Sequence, residues 1–232
     1  MILAMDTSTY VLGVALGDKE AVKAEWTTYE KKNHSLRLMP GIDHVMKSIN
    51  VEPSDLSGIA VTTGPGSYTG VRIGVSTAKA MASALQIPIY DVSSLEALAS
   101  NRRFGNGLVC SFIDARRGQV YAGVYEAREG DLQAVFQEKL WLLDDLLAEL
   151  ASRSLPVYFL SLDVDLHRDN IQQALGSKAS FGGATDSRIK PAEILRIALD
   201  KPPVSNVHAL VPRYLQLAEA EKNWRKVQGD HE

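Results

Sequence analysis

The 232-residue chain contains one cysteine, Cys110. Alone, it can form no internal disulfide, and no Cys-x-x-Cys exists for metal binding or thiol exchange. It lies in an apolar stretch and reads as a buried structural thiol. The five histidines stand at 34, 44, 167, 208 and 231, with no pair spaced i, i+3 or i, i+4. No single helix can therefore offer two imidazoles to a metal, and no metal site is expected. No apolar run reaches the ~20 residues of a membrane-spanning helix. The opening MILAMDTS lacks a basic leader and reads as a strand, not a signal peptide. These absences lead us to expect a cytoplasmic protein with no membrane contact. An excess of positive charge is also missing: 25 Lys and Arg against 28 Asp and Glu give a net charge of −3. Proteins that grip nucleic acid alone are more often basic. The local pairs Arg102-Arg103 and Arg116-Arg117 can form basic patches but read first as ordinary solvated surface.

The most informative stretch, residues 64–74, reads GPGSYTGVRIG. An apolar run precedes it and a helical pattern follows. A glycine-rich turn between a strand and a helix N-terminus is a natural anion site, because glycine lets the backbone approach closely and the helix end is positive. The common phosphate motifs are nevertheless absent. Gly70 is followed by Val71-Arg72 and not by Lys-Ser/Thr, G-x-G-x-x-G does not occur, and Ser67 lacks the G-x-S-x-G context of a nucleophile elbow. The loop can hold a phosphate, order a partner, or be a tight turn capped by Thr69.

The chain also repeats a grammar. Residues 2–16 and 111–125 each read as an apolar strand ending in aspartate, a short polar turn, and a return strand containing glycine. Strands at 59–63 and 87–92 flank a helix at 71–85, a βαβ arrangement. A polar, glycine-containing break at 101–107 separates the halves. A helix is expected at 142–152, a strand at 157–162, a surface loop at 176–191, and a helix from Pro191 to Leu199. The tail after residue 215 is helical in pattern but polar. Asp6 either helps place a hydrated Mg²⁺, with Thr7 and Ser8 offering groups to a phosphate, or caps its own turn. Asp114 has the same two readings.

The glycine segment, the opening Ile2-Leu3-Ala4-Met5-Asp6-Thr7-Ser8, Asn33-His34-Ser35, Ile113-Asp114-Ala115-Arg116-Arg117-Gly118, and Val211-Pro212-Arg213-Tyr214-Leu215 occur in this order. Together they resemble the TsaB (YeaZ) family. The resemblance implies an α/β, two-lobed actin-like (ASKHA) fold of duplicated ββ-βα units. It places one lobe in residues 1–103 and the other in 104–204, with a C-terminal helix at about 205–228 on the first. It further implies a non-catalytic subunit in the synthesis of threonylcarbamoyladenosine at adenosine 37 of ANN-decoding tRNAs. Such a subunit binds the catalytic TsaD and helps recruit the ATPase TsaE. It has no cofactor of its own, since ATP and metal belong to the partners, and it meets tRNA only indirectly. TsaD anchors its metal on a paired-histidine helix. Here His34 lies in that region, and Arg37-Leu38 follow where a second histidine would be needed.

Two helices are the candidate partner surface. On residues 36–49, Leu38, Ile42, Val45 and Ile49 form one stripe, which Met39 and Met46 widen, while Pro40-Gly41 should loosen the first turns. Residues 71–85 are rich in small side chains that allow close helix approach. The resemblance assigns these helices to TsaD or to a second copy of the chain. His34, Leu36, Met39, Ile42, Met46, Arg72, Val75 and Met81 are the expected interface residues. Asp6, Thr7, Ser8, Gly64, Gly66, Ser67, Gly70, Asp114, Arg116 and Arg117 are the expected phosphate or cleft residues, and no catalytic residue is assigned. The alternatives are an independent actin-like ATPase or small-molecule kinase and, with less support, a glycoprotease.

Overall fold

The computed structural model describes residues 1–31 and 33–215. The chain builds the same unit twice. The first unit runs β1 (Ile2–Asp6), β2 (Leu12–Gly17), β3 (Val22–Thr28), α1 (His34–Ser48), β4 (Gly58–Thr62), α2 (Tyr68–Leu85), β5 (Ile89–Val92) and α3 (Ser94–Ala99). The second runs β6 (Gly107–Asp114), β7 (Gln119–Arg128), β8 (Asp131–Leu142), α4 (Leu143–Ala151), β9 (Val157–Leu160), α5 (Val164–Leu175), β10 (Ala179–Phe181) and α6 (Pro191–Leu199). The sheet orders are β3-β2-β1-β4-β5 and β8-β7-β6-β9-β10. In each, the first three strands are antiparallel and the last two join in parallel. This duplicated βββαβαβα order is the topology of the actin-like fold.

Burial explains the placement. β1 and β2 are buried along their whole length, as central strands covered on both faces must be. Leu38, Ile42, Val45 and Met46 of α1 and Val71, Val75, Ala78 and Ala82 of α2 close one face of the first sheet. Leu143, Leu146, Leu147 and Leu150 of α4 and Ile171 and Leu175 of α5 do the same for the second. The third helices are exchanged. α3 packs on β6 and β7 of the second sheet, and α6 packs across the first. A shared apolar cluster, including Ala4, Ala60, Leu98, Tyr125, Leu160 and Ile194, joins the two units between these helices. Cys110 of β6 is fully buried in the core of the second unit, and burial pushes its thiol pKa up.

After α6 the chain returns along the first unit and reaches the second. Val204 N–H donates to Ile89 O, Lys79 Nζ donates to His208 O and Leu210 O, and Arg213 N–H donates to Thr63 O at 2.6 Å. The Arg213 guanidinium then reaches Glu138 of β8, whose other oxygen accepts from Tyr125 Oη at 2.6 Å.

Several sequence expectations need correction. The expected loop at 176–191 contains β10, because Ala179–Phe181 pairs in parallel with β9. The helix expected at 36–49 begins at His34 and runs through Pro40. Asn33 caps it by accepting from Ser35 N–H. The expected C-terminal helix at about 205–228 is not helical over 205–215, apart from one 3₁₀ turn at Val207–Ala209. The remainder of it lies outside the described residues. Among the described residues, no helix is long and apolar enough to cross a membrane.

Candidate functional site

The glycine segment and the β1–β2 turn meet at the C-terminal end of β1. Ser67, not Thr69, is the N-cap of α2, accepting from Gly70 N–H at 3.2 Å. Thr7 Oγ1 donates to Gly70 O at 2.7 Å, and Ser67 N–H donates to Ser8 O at 2.7 Å. A Cβ added at Gly66 would overlap Ser8 O, and one at Gly70 would overlap Thr7 O. These glycines therefore let two backbones touch. Gly64 is required by its φ of +109°.

Asp6 is buried behind this contact. Its Oδ1 accepts from Ser8 N–H at 2.9 Å and from Thr62 Oγ1 at 2.6 Å, while Oδ2 has no partner. Burial pushes its pKa above the ordinary carboxylate range, and the bonds from Thr62 and Ser8 offset only part of that. A phosphate cradle needs free N–H donors and room for oxygens. Here the N–H groups of Ser8, Ser67, Gly70 and Val71 are all taken by internal acceptors, and the space beside the glycines is filled by Thr7 and Ser8. These four donors are committed within the protein, while Ser8 and Ser67 also line the cleft between the units.

A raised carboxyl pKa has a fixed sign. Asp6 favours folding when protonated, and that contribution is lost as pH rises through its folded pKa. Asp6→Asn keeps an acceptor for Ser8 and Thr62 without the charge. We expect it to stabilise the protein at pH 7 by about 1–3 kcal/mol, with the difference from wild type shrinking as pH falls toward 4. Thermal melts across pH check this; a lower Tm at pH 7 would show that the charged form is needed.

Between the units lies a cleft of about 440 Å³, walled by Ser8, Tyr10, Lys31 and His34 on one side and by Phe112, Ile113 and Asp163 on the other. His34 belongs to this cleft. Its Nε2 donates to Thr9 O at 2.7 Å, which fixes the tautomer, and its Nδ1 is buried without a partner. Asp114 caps its hairpin, accepting from Arg116 N–H at 3.2 Å, and also bonds His167 Nε2 at 2.9 Å. Arg116 and Arg117 occupy the exposed tip of that hairpin with φ of +65° and +53°. Neither they nor Asp114 line the cleft. Thr62, Tyr10, Lys31, Asp163 and His167 escaped sequence reasoning. Only the hydroxyl pair Thr62-Thr63 closing an apolar run gave a local signal.

The expected interface residues divide by burial. Ile42, Met46 and Val75 are core residues of the first unit and cannot form a surface. Leu36 and Met39 are exposed on α1, Met81 is partly exposed, and Arg72 is exposed on α2. The Arg72 guanidinium lies 3.9 Å from the Tyr68 ring centroid, and its Nε donates to Tyr214 Oη at 2.6 Å.

Duplicated βββαβαβα units with a cleft between them define an actin-like protein. A family model described as TsaD, tRNA N6-adenosine threonylcarbamoyltransferase, matches residues 27–224. The tRNA threonylcarbamoyladenosine biosynthesis protein TsaB of Bacillus subtilis (strain 168) is 48% identical over 223 residues, 96% of this chain and 97% of that protein. TsaB of Escherichia coli (strain K12) is 34% identical over 133 residues, 56% of this chain and 57% of that protein. The solved YeaZ from Pseudomonas aeruginosa superposes with a TM-score of 0.74 at 26% identity, over 92% of this chain and 98% of that one. The chain belongs to the TsaB (YeaZ) family of tRNA threonylcarbamoyladenosine biosynthesis proteins.

Proposed function

We propose that the protein is a non-catalytic scaffold that binds and activates the catalytic TsaD subunit and helps recruit the ATPase TsaE. The observation that supports this reading is the contact of turn and loop, where Ser8, Ser67, Gly70 and Val71 give their N–H groups to internal acceptors and Gly66 and Gly70 lie against the backbone of Ser8 and Thr7. Metal and ATP then act on the partner subunits, in the cytoplasm. The lobes are residues 1–103 and 104–204. The docking face is the outer side of α1 and α2, where Leu36, Met39 and Arg72 are exposed. Large side chains on a rigid helix pair suit a helix-on-helix contact. The same face can pair two copies of the chain, which makes homodimer and heterodimer mutually exclusive.

Size-exclusion chromatography with light scattering tests this on the chain alone and mixed with TsaD. The expected result is one heterodimer, formed at the expense of any homodimer. Titration of ATP-Mg²⁺ into the chain alone should give no micromolar binding. Micromolar binding abolished by Asp6→Ala, with no TsaD complex, would replace the scaffold with an independent ATPase.

A further inference from the structure

Several cations of this acidic protein are paired with a neighbouring carboxylate, among them Lys47 with Asp43, Arg103 with Glu193, Arg128 with Glu126, Lys201 with Glu96 and Arg213 with Glu138. One corner of the second unit gathers three cations that are held by rings and backbone carbonyls instead. Lys139 on β8 has its Nζ 3.7 Å from the centroid of the Trp141 ring. Trp141 packs on Phe136 at 5.7 Å, and the Arg153 guanidinium, just past α4, lies 5.1 Å from the Phe136 centroid. Lys178 then donates to Ala151 O and Arg153 O at 3.0 and 2.9 Å, which closes the cluster. Among the described residues none of these three cations is paired with a carboxylate, and Lys139 and Arg153 are exposed. Ring faces and carbonyls hold each cation in place without cancelling its charge.

We propose that Lys139, Arg153 and Lys178 form an RNA-binding patch that takes the phosphates of the tRNA strand, so that this subunit meets the substrate directly. The inference rests on the reading of the chain as part of a tRNA-modifying assembly. It departs from the expectation that tRNA is reached only through partners. The chemistry favours phosphates over a base-stacking platform, because the cations already occupy the faces of Phe136 and Trp141. A contact made by three clustered cations is compatible with the net charge of −3, because phosphate binding depends on local and not on total charge. The patch lies on the second unit, away from α1 and α2, and leaves the proposed TsaD face free.

Each phosphate contact contributes roughly 0.7–0.9 to the slope of log K against log salt. The test compares the assembled complex with TsaD carrying either the wild-type chain or Lys139→Gln/Arg153→Gln, titrated with an unmodified tRNA transcript from low to physiological salt. The double variant should lower affinity roughly ten-fold and flatten the slope by about 1.5, while co-elution with TsaD is unchanged. Lys19→Gln, on the exposed β2–β3 hairpin of the first unit, should change neither. An unchanged slope, or an equal loss in Lys19→Gln, overturns the patch. Loss of TsaD complex formation by the wild-type chain would instead sink the scaffold reading. The same titration of the chain alone would then still decide whether the patch binds RNA.

Discussion

Gly70→Ala should lower the melting temperature by roughly 6–12 °C, corresponding to about 3 kcal/mol or more. The added Cβ overlaps the carbonyl oxygen of Thr7, a backbone atom held at both ends of the β1–β2 turn, so no side-chain rotation can relieve it. The same movement would break the bond from Thr7 Oγ1 to Gly70 O and the cap from Ser67 to Gly70 N–H. Helix propensity acts the other way, because alanine inside a helix gains about 1 kcal/mol over glycine; the steric term outweighs it. Were Gly70 kept open for a phosphate, alanine would abolish ligand binding and leave stability nearly unchanged. A thermal melt of Gly70→Ala separates the two roles, and an unshifted Tm would reopen the phosphate reading.

The same contact shows how far the sequence could be read. The pairing of β1 with β2 and of β6 with β7 was legible because each hairpin joins two apolar strands through a short polar turn, and the structure bears out both, including the aspartates that cap them. β3 and β8 were not legible. They are the outer strands of their sheets, with intermediate and exposed residues throughout, so no buried face marks them. α5 buries only Val164, Ile171 and Leu175, too sparse a stripe to read as a helix. β10 is three residues long and exists through its pairing with β9. At the site, Asp6, Thr7, Ser8, Gly66, Ser67 and Gly70 could be grouped from the sequence. That the glycines close the space and do not open it was beyond sequence, because it depends on which backbone lies opposite. His34 moved from the expected interface to the cleft for a similar reason: its imidazole turns inward to Thr9 O.

Burial also separates two methionines that the sequence treats alike, since both widen the α1 stripe and both are expected at a partner surface. Met46 is 6% exposed and packs in the core of the first unit, whereas Met39 is 51% exposed. Met46→Glu buries an unpaired carboxylate, which costs on the order of 3–5 kcal/mol, a large share of the roughly 5–15 kcal/mol that holds a domain together. The variant should melt far below wild type or fail to fold, and its loss of partner binding would say nothing about the interface. Met39→Glu points into solvent and should shift stability by no more than about 0.5 kcal/mol. If the α1–α2 face docks on TsaD, the charge is desolvated there and affinity should fall by about 2–4 kcal/mol, roughly 30- to 1,000-fold. Circular dichroism melts of both variants, followed by light-scattering chromatography of Met39→Glu with TsaD, make the comparison. A folded Met39→Glu that still co-elutes with TsaD removes this end of α1 from the interface and moves the docking face toward Tyr68, Arg72 and Tyr214 at the start of α2.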